Sequence, residues 1–265
     1  YDSILYDFDA TGEHLPLIWW DETRINFDRP MIGFPSYVGS YLQDGGTDHE
    51  AINVIASVLG ATLVGIDESN QDGNDYVLMM EQYYNTNSGE GLVLNRTNTD
   101  TGQTFWYELF PLVLFYQLGH YYPGHGSMEN IMRACADKWY TAEYFLGGKD
   151  GIPNFNHTAF DFDSFSAVDN GRWKEPDSAA GIAWIQYMAY KQFGTAKYLE
   201  GADWGMQFLE DWADNPYYEV LLPFGAITAA RMNAELGRDY DLEKLMNWTF
   251  SSSSDARGGL PTSPL

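Results

Sequence analysis

The sequence is poor in cysteine and in positive charge. Its single cysteine, Cys135, excludes an internal disulfide framework and a cysteine-ligated zinc site. Only 14 Lys and Arg stand against 38 Asp and Glu, a formal net charge of −24. Phosphate affinity rests on clustered basic residues, so this balance argues against a nucleic-acid partner and against docking on an anionic membrane. No run of eighteen apolar residues occurs. The longest stretch, 110–118, carries Pro111 and Gln117 and reads as a core helix. There is no glycine-rich phosphate loop with a following Lys, no dinucleotide fingerprint after a strand, and no Gly-x-Ser-x-Gly nucleophile elbow.

What the chain does have is bulk and aromatic rings. At 265 residues and 45% hydrophobic content it can bury a substantial core without staples, and aromatics make up 16%. No low-complexity linker splits it, so a single domain over 1–265 is expected: a loop-rich segment 1–47, helices over 48–253, and a tail 254–265.

Hydrophobic periodicity predicts eight helical segments and few strands. Four segments, 48–66, 105–120, 177–193 and 220–236, are apolar on nearly all sides and must be surrounded by protein. The other four, 75–84, 127–146, 196–212 and 241–250, are amphipathic. In 127–146 the stripe is Met128, Met132, Cys135, Trp139, Ala142 and Leu146, with Glu129, Arg133, Asp137 and Glu143 away from it. In 196–212 it is Tyr198, Ala202, Met206 and Leu209. Buried and amphipathic helices alternate through four pairs. The loops leading into the buried helices include long ones (1–47, 85–104, 147–176), and long loops in a compact domain are usually functional.

This alternation, with elaborate loops at one end, resembles the six-hairpin (α/α)6 toroids of glycosidases and polysaccharide lyases. The stretches Glu175-Pro-Asp-Ser-Ala-Ala-Gly-Ile-Ala-Trp184 and Tyr198-Leu-Glu-Gly-Ala-Asp-Trp204 look like a helix start and an outer helix of that group. The likeness covers 48–253 and is architectural. It implies an all-α toroid of inner and outer helices, incomplete here, with about four of six hairpins. It also implies that the site lies at the N-termini of the inner helices, where unpaired N–H groups and the positive dipole end face one rim.

The loops approaching those N-termini hold acids beside rings, as a carbohydrate site requires. Sugar C–H faces pack on aromatic rings, and glycosidic cleavage usually uses two carboxyl groups, one protonated and one ionised. The first loop carries Trp19, Trp20, Asp48, His49 and Glu50; the second, Trp106, Tyr107 and Glu108; the third, His157, Trp173, Glu175 and Asp177; the fourth, Tyr217, Tyr218 and Glu219. Glu175, Asp177, Asp48, Glu108 and Glu50 are the catalytic candidates, and the rings and histidines are the substrate-binding ones. Each has a structural alternative. Thr47-Asp-His-Glu50 fits a capping box, Asp177 could cap the third inner helix, Glu108 could pair with Arg24 or Arg231, and Trp19 and Trp20 could be core.

The expected function is therefore that of a carbohydrate-active enzyme, a glycoside hydrolase working by two-carboxylate acid/base catalysis on an oligo- or polysaccharide. The alternatives are a non-catalytic glycan-binding domain or fragment, and a polysaccharide lyase. The lyase is disfavoured because a uronate substrate needs basic residues that this acidic chain has few of. No cofactor is implied. The segment 67–75 resembles a calcium loop in composition but fails EF-hand spacing, and Asp161, Asp163 and Asp169 could hold calcium without a recognised pattern. Acidity, scarcity of cysteine and the expected function point to a secreted, extracellular or periplasmic protein.

Overall fold

A computed structural model describes residues 18–33, 49–251 and 254 of the chain. Asp48 lies outside the described residues, as do His14 and Thr47. The described part is mostly helical, with eight α-helices and little strand, which agrees with the all-α reading. The helices are α1 (Ala51–Leu63), α2 (Tyr76–Met79, continued by the 3-10 turn Met80–Tyr83), α3 (Phe105–Tyr121) and α4 (Met128–Glu143), followed by α5 (Ser178–Phe193), α6 (Ala196–Asp211), α7 (Leu222–Leu236) and α8 (Leu242–Thr249). The chain divides into two compact units, the described residues of Tyr1–Thr99 with Leu114–Met132, and those of Asp100–Val113 with Arg133–Leu265. Helices α3 and α4 run through both.

In the first unit, β1 (Trp19–Asp21) pairs antiparallel with β2 (Met31–Gly33), Trp19 opposite Gly33. A side chain at Gly33 would lie 2.7 Å from the His49 ring and 3.0 Å from that of Trp19, so glycine is needed where the hairpin closes over the histidine. Val54, Ile55 and Val58 of α1 are completely buried. Thr47 of the capping-box reading lies outside the described residues. Glu50 stands at the N-cap of α1 itself, gives it no side-chain cap hydrogen bond, and turns its carboxylate to the Asn95 amide (2.8 Å). Asn95 does the capping, its carbonyl accepting from Ala51 N–H (2.8 Å) and its side-chain oxygen from Ile52 N–H (3.2 Å). A cap supplied from a distant loop leaves no signature in the local sequence.

In the second unit, α5 is the central rod. Every residue from 178 to 187 is buried, and it packs chiefly on α6 and α7, while α7 packs on α8. Close approach rests on small residues. A Cβ at Gly205 of α6 would stand 2.6 Å from the Ala179 carbonyl oxygen and 2.9 Å from Ala183 Cβ. The expected stripes on α4 and α6 are the buried ones, with Trp139, Tyr198, Ala202 and Met206 all sealed from solvent.

Three features depart from the expected pattern. The segment 75–84, expected to be amphipathic, is the short α2 and its 3-10 turn, with every residue from 79 to 83 buried. Glu143, placed on the outer face of α4, is completely buried, because Gly201 leaves the room that a Cβ 2.5 Å from its Oε2 would take. Helix α7, expected to be enclosed, exposes 49% of Ile227. The loops also contain short strands that three-residue segments could not announce by periodicity: β1–β2, and β3 (Ala159–Asp161) with β4 (Ser166–Val168), Ala159 opposite Val168.

Candidate active site

Three loops of the second unit are tied together ahead of its helices. Phe105 N–H at the start of α3 bonds the Thr158 carbonyl (2.8 Å), and Gly102 N–H bonds that of Phe160 (3.2 Å). Glu175 N–H, ahead of α5, bonds the His157 carbonyl (2.9 Å), and Thr158 hydroxyl bonds that of Trp173 (2.6 Å). The β3–β4 hairpin is thus the frame on which the loops before α3 and α5 converge.

Three carboxyl groups predicted from sequence are buried in this frame. Glu175 Oε1 accepts from the Thr104 hydroxyl in a short hydrogen bond and from Trp173 Nε1–H (2.9 Å), while Oε2 accepts from Trp106 N–H (2.8 Å). Glu108 Oε1 accepts from Gly102 N–H (2.8 Å) and Gln103 N–H (3.0 Å), and Oε2 from Phe160 N–H (3.3 Å). Asp177 Oδ2 accepts from Tyr218 N–H (3.1 Å) and Glu219 N–H (3.4 Å) in the loop before α7. Each acid therefore collects backbone or side-chain donors of a neighbouring loop.

Burial dominates their titration. It raises Glu108 to about 8 against the opposing pull of three backbone N–H donors, with the Glu175 charge adding to the rise. Burial likewise raises Asp177 to about 8, again with a contribution from Glu175. Glu175 is raised by burial, and repulsion from Glu219 adds to it, while its hydrogen bonds from Thr104, Trp173 and Trp106 oppose the shift. Glu175 is thus electrostatically coupled to Glu108, Asp177 and Glu219.

The structural alternatives weighed from sequence do not hold for two of these acids. Among the described residues Glu108 makes no salt bridge: Arg231 pairs with Glu235 (2.9 Å), and Arg24 with Glu22 and Asp28 (3.2 Å each). Asp177 sits at the N-cap of α5 but gives it no side-chain hydrogen bond, because its carboxylate is spent on the loop before α7.

Aromatic candidates frame the acids. The Trp173 ring is 36% exposed and lies parallel to Tyr218, with centroids 6.4 Å apart at 4°. Trp106 packs on Tyr107 (4.7 Å) and Phe110 (6.3 Å). Tyr217 is fixed by its N–H to Asn215 Oδ1 (3.0 Å). His157 bridges Asp169 (3.2 Å) and Asn154 (3.1 Å).

Other candidates lie in the first unit. His49, 5% exposed, is held between Asp21 (Nε2 to Oδ2, 2.9 Å) and the Tyr83 hydroxyl (Nδ1, 2.7 Å), with Trp19 tilted at 5.9 Å. Burial pushes Asp21 up, but hydrogen bonds from His49 and Thr23 outweigh it and hold the carboxyl at about 2. Trp20 is exposed (39%) and stacks on Tyr76.

Sequence reasoning placed Glu219 in the loop with Tyr217 and Tyr218 but did not make it a catalytic candidate; its half-buried position is set by the Asp177 hydrogen bond. It did not single out Thr104, whose hydroxyl carries no signal in the sequence. Among the described residues no group of three or more His, Cys, Asp or Glu is set to hold a metal ion. No protein-family model, curated protein or solved structure matches the chain.

Proposed function

We propose that the protein is a carbohydrate-active enzyme, a glycoside hydrolase, whose four helical hairpins form an arc of an (α/α) toroid and whose site is built around Glu175. The observation that carries this reading is the double use of Trp173. Its indole N–H holds Glu175, while its exposed ring lies parallel to Tyr218 as a flat surface for a sugar face. A carboxyl with a raised pKa beside an aromatic platform is what proton delivery to a glycosidic oxygen requires. Glu175 is closed off from water in the unliganded fold and so suits the acid, whose proton must be held until substrate arrives. Glu219 is half-buried, and its charge is felt at Glu175; it takes the part of the second carboxyl group. Glu108 and Asp177 position the loops. An extracellular setting accompanies this function.

One observation favours a non-catalytic glycan-binding domain instead: all three buried acids have donors from neighbouring loops, as purely structural groups would. Variants separate the readings. Glu175→Gln and Glu219→Gln should each lower reducing-end release from a cleaved glycan by at least about a hundredfold while oligosaccharide binding persists. Release at the wild-type rate by Glu175→Gln would reduce that residue to a structural tie.

A further inference from the structure

We propose that the cleft beside Trp173 takes an anionic group carried on a sugar ring, a carboxylate or a sulfate, and that Arg172 recognises it. The proposal rests on the glycan reading above and narrows its substrate class. The cleft has a volume of about 520 Å³, and its lining includes Arg172, Trp173, Lys174, Trp212, Asp169 and Asp214. That size, with two indole rings among polar and charged side chains, suits a small polar ligand or one end of a longer one.

Arg172 is the unusual member. Of the 14 basic residues, Arg257 lies outside the described part. Among the remaining described ones, Arg172 alone has neither an ion pair, nor a ring contact, nor a side-chain hydrogen bond. With 38 acids for 14 bases, an unpaired Asp is the ordinary state and an unpaired Arg is not. The other charges facing the cleft leave Arg172 as its open cation. Asp169 is occupied by Lys174 (3.0 Å) and His157 (3.2 Å), and Asp214 makes no salt bridge to Arg172. In a cleft also lined by Trp173 and Trp212, the guanidinium offers a planar fork for an oxyanion and the indoles offer flat faces for the ring that bears it. The net charge of −24 opposes an anionic polymer at long range, but that field is screened beyond about 8 Å at physiological salt and does not cancel a direct contact.

The test is calorimetric titration of the whole protein and of Arg172→Gln with three oligosaccharides of equal length: uronate-bearing, sulfated and neutral. Melting curves check that the variant folds. An anionic oligosaccharide should bind at least about tenfold more tightly than the neutral one, and Arg172→Gln should abolish that difference. Which anion binds distinguishes carboxylate from sulfate. If the neutral ligand binds as tightly, or the variant keeps the preference, the anionic assignment is wrong while the glycan reading stands. If none of the three binds, both fall.

Discussion

Trp173 donates to Glu175 and faces Tyr218, so its two functions can be separated by substitution. Trp173→Phe keeps a ring for stacking but deletes the N–H. Losing a donor that favours the ionised carboxyl should raise the Glu175 pKa further and cost about 1–2 kcal/mol in urea unfolding. Carbon-detected NMR of the Glu175 carboxyl gives the titration, and an unshifted midpoint would show that the indole bond does not matter. Glu143 tests burial without function. It has no protein hydrogen-bond partner, and burial, with repulsion from Glu200, raises its pKa well above the ordinary value. Its folded-state pKa exceeds the unfolded one, so its stabilising contribution is complete below the unfolded pKa near 4.5 and is lost as pH rises through the folded value. Glu143→Gln should therefore raise the melting temperature at pH 8 and change it little at pH 4.5. Equal shifts at both would contradict the buried-acid account.

At the scale of elements, most of the helices were legible because burial leaves a periodic trace. The stripe from Met128 through Trp139 to Leu146 and that from Tyr198 to Leu209 are the buried faces of α4 and α6. What left no trace was what distant parts supply. Asn95 caps α1 from 43 residues away from Ile52, and Gly201 admits Glu143 into the interior. The β1–β2 and β3–β4 hairpins were too short to show a period of two. Glu175 and Asp177 stood out in sequence as acids beside rings at the end of a long loop, and Glu108 as an acid inside an apolar helix, but their partners, Thr104 and the backbone N–H groups, are ordinary residues that only the fold brings to them. Gly205→Ala tests the close packing of α6 on α5. Alanine favours helix by up to about 1 kcal/mol, yet its Cβ would collide with the Ala179 carbonyl. A net loss of about 1–3 kcal/mol is expected in denaturant unfolding. A gain would mean that the interface is looser than described.

For the whole molecule, buried acids and negative charge act in the same direction. Glu108 and Asp177 both titrate at about 8 in the fold, against ordinary values of 4.5 and 3.8. Their stabilisation is complete below the ordinary values and lost as pH rises through 8. Asp21, held at about 2, contributes from pH 4 upward and is constant across that window. Melting temperature should therefore fall from pH 5.5 to pH 8.5, and Asp177→Asn should flatten the slope. A melting temperature that rises over this range would refute the assigned burial.

The most direct test of a sugar site at Trp173 is the indole N–H signal of that residue in 15N-labelled protein, titrated with an oligosaccharide selected for binding by calorimetry. The Trp173 resonance, assigned by its loss in Trp173→Phe, should shift in step with the calorimetric binding curve. A bound oligosaccharide that leaves this resonance unmoved would place the site elsewhere.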